Sequence, residues 1–223
     1  MVVTVPDNIS GAFRANLPDI KPVLAPKEER IIDLLSVCRA ACRPSLERFW
    51  HPLKGMRKIQ SLLNWGVLWS YHVCAVEVVT LPPLTAHRAP RGMYIPRDMR
   101  ETVKTILATE LFLRVMKNIP CRFIEEPRLI QGTLAAEGFS IGILVPLRDD
   151  PGYLEIRDPC LVICQDREHI KEMAKKIAFQ ALYTTHEQLL DRSIDIAHAF
   201  CDGDLKPKLI GSFAKIEPKA AAL

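Results

Sequence analysis

Between Arg39 and Cys74 the chain sets Arg39, Arg43, Arg48, Lys54, Arg57 and Lys58 against a single acid, Glu47, and interleaves Trp50, Trp65, Trp69 and Tyr71. Cations neutralise phosphates and release counterions, while aromatic faces stack on unpaired bases or settle at a lipid interface. The mixture points to nucleic acid, RNA ahead of DNA, or to an anionic membrane surface. Tryptophans buried behind a solvated cationic helix face would give the same composition. A second basic group, His87, Arg88, Arg91, Arg97 and Arg100, falls on a proline-rich connection and the helix start that follows it. Cations oppose the dipole of a helix N-terminus, so Arg97 and Arg100 are easier to explain if an anion sits there.

Other reactive residue types do not assemble into a motif. Cys38 and Cys42 lie four apart on an expected helix, and Cys160 and Cys164 four apart on an expected strand. Neither pair has the two-residue spacing of the familiar zinc motifs. His186-Glu187-Gln188-Leu189-Leu190 begins like a zinc-protease helix but lacks the second histidine that would complete the ligand set. There is no phosphate-cradling glycine loop and no Gly-x-Ser-x-Gly elbow. The acid pairs Glu125-Glu126 and Asp149-Asp150 fall in expected turns, where carboxylates are ordinarily solvated. No catalytic residue, metal or cofactor is therefore expected, and a cysteine paired with a distant histidine is a combination only geometry can sort.

The composition supports a folded chain. Of 223 residues, 48% are hydrophobic and 25% charged, ordinary globular values, and a net charge of +4 is too mild to identify a nucleic-acid binder by itself. The start, Met1-Val2-Val3-Thr4-Val5-Pro6, has no basic region followed by a long apolar run. With seven cysteines, an odd number, this reads as reduced thiols in a cytoplasmic or nuclear protein. The most apolar stretch, Val67 to Leu81, is interrupted by Ser70, His72 and Glu77 and is too short to span a bilayer.

The elements that must position these residues follow from periodicity and breakers, and they predict an α+β fold. Residues 1–26 carry Pro6, Pro18, Pro22 and Pro26 among Phe13, Leu17, Ile20, Val23 and Leu24, which suggests an extended arm that docks on a neighbouring subunit. Ile31, Leu34, Leu35, Cys38 and Cys42 recur at helical spacing behind Glu28 and Glu29. A second helix follows Pro52, with Met56, Ile59, Leu62 and Leu63 on one face and Gly66 as its stop. Residues 67–81 read as one long core strand ended by Pro82-Pro83. After an irregular connection at 82–97, Asp98 and Glu101 form a capping box for a helix running to about Asn118. Short strands at 121–125, 139–146, 153–156 and 161–164 then make a small antiparallel sheet, with a turn at Asp149-Asp150-Pro151-Gly152. Asp166 caps a helix whose buried face is Ile170, Met173, Ala174, Ile177, Ala178 and Ala181, and Thr185 with Gln188 forms a further capping box. The expected organisation is an arm at 1–26, a single domain at 27–201 whose subdivision, if any, falls near 82–97, and a loose tail at 202–223.

Between Asp98 and Tyr183 the expected order is helix, three or four strands, helix. Ala174, Lys175, Ala178, Ala181 and Leu182 stand in the last helix as an Ala-Lys pair followed by small residues and a leucine. In this order the segment resembles a double-stranded RNA-binding domain, although that family's histidine-bearing loop has no counterpart here. The resemblance implies phosphate contacts from Arg167, Lys171 and Lys175 along one helix face. The leading expectation is a self-associating, homo-oligomeric structural or assembly protein, similar in organisation to viral nucleocapsid and matrix proteins. The alternatives are an RNA-binding module built on 98–183 and a protein-interaction subunit of a larger complex.

Overall fold

Arg39 takes a backbone conformation with φ 68°, ψ −44°, and this single residue decides how the chain begins. It stops helix α1 (Pro26–Cys38), whose Ile31, Ile32, Leu34, Leu35 and Cys38 are buried. The chain turns directly into strand β1 (Ala40–Cys42), so Cys42 lies on a strand and not on the helix where its spacing had placed it. The structure, a computed structural model, describes residues 23–73, 76–82, 99–124, 130–136, 138–150, 159–177 and 180–210. The chain divides into two compact units, Met1–Thr109 and Glu110–Leu223.

In the first unit, β1 is followed by the short helix α2 (Arg43–Glu47) and by α3 (Pro52–Asn64), with proline in the first turn of each, where its missing N–H costs nothing. Gly55, Ile59 and Leu62 form the buried side of α3, and Gly66 at φ 68° ends the turn beyond it. Met56, expected on that buried side, is exposed. Residues 67–81 do not make one long strand. They form β2 (Trp69–Val73) and β3 (Val76–Thr80), paired antiparallel from Trp69 opposite Thr80 to Val73 opposite Val76. A β-branched and aromatic run carries the same period-2 signal whether it continues straight or folds back, and no Gly or Pro marks the reversal. β3 is central, in the order β1-β3-β2, with Ala40 opposite Thr80. Ala40, Val78 and Ile106 form a core on this sheet with Cys42, Tyr71 and Val73 against it, Ile106 coming from α4 (Met99–Val115).

The second unit is built on one mixed sheet rather than a small antiparallel one. Its described strands are β4 (Arg122–Ile124), β5 (Gly132–Ala136), β6 (Phe139–Leu144), β7 (Cys160–Cys164), β8 (Ala181–Thr185), β9 (Phe200–Cys201) and β10 (Pro207–Lys208), in the order β10-β9-β8-β7-β6-β5-β4. The central trio β6, β7 and β8 is parallel, and the other pairings are antiparallel. β7 is buried at every position, as a run of Cys-Leu-Val-Ile-Cys allows. Helix α5 (Arg167–Lys176) crosses from β7 to β8 and packs Ile170 and Met173 on Leu144, Cys160, Val162, Cys164 and Tyr183. The helix ends at Lys176, and Ala181 and Leu182, expected on it, lie in β8. The order helix, four strands, helix expected at residues 98–183 holds among the described elements, from α4 through β4 to β7 to α5, but β6 and β7 pair in parallel, and Ala181 and Leu182 do not belong to the last helix.

β8 leads directly into the short helix α6 (His186–Leu190), closed by the expected Thr185 and Gln188 capping box. Residues 202–210, expected as the start of a loose tail, close a hairpin instead. Pro207 pairs with Cys201, and the Asp202 carboxylate accepts from the Asp204 and Lys206 N–H groups, each at 3.0 Å. The strand expected at 153–156, the Asp98 cap, the rest of the tail and most of the N-terminal arm lie outside the described residues.

Candidate functional site

The basic cluster of the first unit separates into cations held by acids and cations facing water. Arg43 donates from Nε to Glu47 Oε1 at 2.8 Å and from Nη1 to Glu77 Oε2 at 3.0 Å, tying α2 to β3. Lys58 Nζ lies 2.7 Å from Glu28 Oε1, joining α3 to α1. Burial alone would raise the Glu28 carboxyl, but Lys58 and the Ala25 N–H outweigh it and hold the group below its ordinary value. Both cations, expected to meet a ligand, are engaged by an acid remote in sequence, Glu28 at 30 residues from Lys58 and Glu77 at 34 from Arg43. Arg39 is half-buried at the α1–β1 junction, where its carbonyl accepts from Thr80 Oγ1 at 2.8 Å.

Arg48, Lys54 and Arg57 remain. All three are exposed, and no hydrogen bond or ion pair engages their side chains among the described residues. Lys54 and Arg57 lie on the first turns of α3 and Arg48 shortly before it in the chain, and on those turns Leu53 is 63% exposed and Met56 47% exposed. The helix cap, His51, makes no side-chain cap bond, and the first turn holds no acid. Positive charge therefore gathers at a helix end whose own dipole is positive. Gly55 seats this end: a Cβ there would come within 1.9 Å of the Glu47 carbonyl oxygen, so only glycine lets α3 approach α2 so closely.

Trp50 and Trp69 are half-buried. Trp65, which is 47% exposed, stands at the far end of α3, about 18 Å along the helix axis from Leu53. Sequence reasoning missed the exposure of Leu53 and Met56, because an apolar residue on an amphipathic helix is assigned to the core unless packing shows otherwise. Arg88, Arg91 and Arg97 lie outside the described residues.

In the second unit, Lys171 and Lys175 are exposed on α5, as is Arg167, at four-residue spacing. At the ends of the parallel strands, Arg148 Nη2 meets Asp166 Oδ2 at 2.9 Å, and Asp166 Oδ1 accepts from the His169 N–H at 2.8 Å to cap α5. Three of the thiols do not suit nucleophilic chemistry. Burial raises Cys164, Cys201 and Cys121 above the ordinary thiol value, the opposite of what an activated cysteine needs. Among the described residues no group of three or more His, Cys, Asp or Glu could hold a metal ion, and no helix is long and apolar enough to cross a membrane. Compared with protein-family models, curated proteins and solved structures, the chain matches none.

Proposed function

We propose that this chain is a non-enzymatic assembly protein that docks on an anionic lipid surface through the first turns of α3. The observation that carries this reading is the exposure of Leu53 and Met56 between Arg48, Lys54 and Arg57, none of which is engaged by an acid among the described residues. Cations alone would serve RNA equally well. Exposed aliphatic side chains among them gain nothing from a phosphate backbone but do gain from acyl chains below a headgroup layer. Base stacking would use aromatic faces beside the cations, and the exposed tryptophan lies at the other end of the helix.

The magnitudes suit reversible, peripheral binding. Each cation at an anionic surface contributes about 1 kcal/mol, and immersing Leu53 and Met56 adds about 2 kcal/mol together. A total of about 5 kcal/mol corresponds to millimolar or slightly tighter binding by one copy. Firm attachment then requires several copies acting together, which gives self-association a physical purpose.

Co-sedimentation of the full chain with vesicles of phosphatidylserine and phosphatidylcholine, against phosphatidylcholine alone and against single-stranded RNA, tests the proposal. Binding to the anionic vesicles that falls with salt and is lost in both K54E/R57E and L53D is the expected result. Binding to RNA without vesicle binding, or vesicle binding indifferent to these substitutions, overturns it.

A further inference from the structure

In the second unit a half-buried histidine keeps one ring nitrogen, itself buried, without a hydrogen-bond partner among the described residues. β7 and β8 are parallel and end in register, with Cys164 opposite Thr185. The chain passes from β8 straight into α6, and the cap fixes the turn: Thr185 Oγ1 accepts from the Gln188 N–H at 3.2 Å, and Gln188 Oε1 accepts from the Thr185 N–H at 3.3 Å. His186 is the first residue of that turn. Its Nε2 is sealed from solvent and has no hydrogen-bond partner among the described residues. A neutral ring tolerates this at the cost of one unmet group, whereas a charged ring must donate from both nitrogens.

The surroundings offer no compensation. His169, 2% exposed on α5, already uses Nδ1 to accept from the Gln165 N–H at 3.3 Å. Among the described groups, His186 feels His169 from α5 and Asp166 from the end of β7. His169 in turn feels Glu172, Asp166, Arg148 and Lys176. Asp166 is the acid common to both histidines, and each of its oxygens is engaged, one by the α5 cap and one by Arg148.

We propose that His186 is an acid-triggered release for α6, so that its protonation in mildly acidic solution detaches the first turn of α6 from the ends of β7 and β8. Burial, and then the neighbouring His169, hold its pKa below the ordinary value of 6.5, with Asp166 opposing. A depressed folded value means that the opened form binds the proton more readily. The advantage of the closed form is complete above pH 6.5 and is lost as the pH falls from there through the folded value. The Asp191 N–H, bonded to the Glu187 carbonyl at 2.7 Å, is the amide that reports the opening.

Hydrogen exchange on the full chain at pH 7.5 and 5.5, corrected for intrinsic rates, is the experiment. At least a tenfold loss of protection at residues 186–191 in acid is expected, with the β7 amides unchanged. H186F should keep its protection at pH 7.5 and lose the acid response. Equal protection of the wild-type chain at both pH values, or an equal acid response in H186F, overturns the proposal. If H186F does not fold, the imidazole of His186 is titrated by NMR in the wild-type chain. A midpoint below the ordinary 6.5 that coincides with shifts of the α6 amides supports the release, and a midpoint at or above it, or titration without those shifts, overturns it.

Discussion

Lys58 Nζ lies 2.7 Å from Glu28 Oε1, and Glu28 keeps only 3% of its side chain in contact with solvent. A cation from the most basic part of the sequence is thus spent on holding α3 against α1. Lys58→Met leaves a buried carboxylate uncompensated and should cost about 2 kcal/mol, the partial exposure of Lys58 keeping the loss below that of a fully buried pair. Arg57→Met, one residue earlier and unpaired among the described residues, should change stability by less than about 0.5 kcal/mol. Urea denaturation of the two variants checks the contrast.

The same pair sets an acid limit on the first unit. Because the folded value of Glu28 lies below its ordinary 4.5, its contribution is fully present above that pH and is lost as the pH falls through the folded value. The wild-type chain should lose stability more steeply below pH 4.5 than Glu28→Gln, as followed by thermal melting across a pH series.

Arg114, buried on α4, supplies donors to backbone carbonyls. Nη1 donates to the carbonyls of Gln188 at 3.2 Å and Asp191 at 3.1 Å and also to that of Leu189, while Nη2 donates to Ile194. The carbonyls of Gln188 and Leu189 leave the end of α6, where no intrahelical partner exists, and those of Asp191 and Ile194 belong to the segment that follows. Arg114→Met should therefore destabilise the second unit by about 3 kcal/mol, and Arg114→Lys should recover only part of that, since a point charge cannot reach every carbonyl. Fluorescence-detected unfolding in guanidinium chloride measures both.

Gly55→Ala should force α3 away from the Glu47 carbonyl, costing about 1–3 kcal/mol. On the proposed function it should also weaken vesicle binding, because it displaces Leu53 and Lys54 together. Comparison of melting temperature and vesicle affinity in one variant tests both.

Cys38, Cys160 and Cys164 are buried, so they should resist iodoacetamide in the native chain at pH 8 and react once it is unfolded. Intact-mass measurement before and after denaturation counts the protected thiols.

Much of the α+β architecture is written locally. Pro26 and Pro52 start helices, Gly66 ends a turn, Asp166 caps α5, and Thr185 with Gln188 caps α6. Each of these depends on backbone geometry within a few residues, so the sequence by itself determines it. What only the tertiary structure decided depends on partners remote in the chain. Whether 67–81 runs straight or folds back is settled by β1, which pairs with β3 from the far side. Whether Ala181 and Leu182 end a helix or begin a strand is settled by β7, against which β8 is buried. The site divides in the same way. The basic and aromatic composition of residues 39–74 was visible at once, but which cations remain available was not, since Glu28 and Glu77 reach Lys58 and Arg43 only after the chain has folded. Charge and hydrophobicity are properties of residues, whereas pairing and exposure belong to surfaces that exist only in three dimensions.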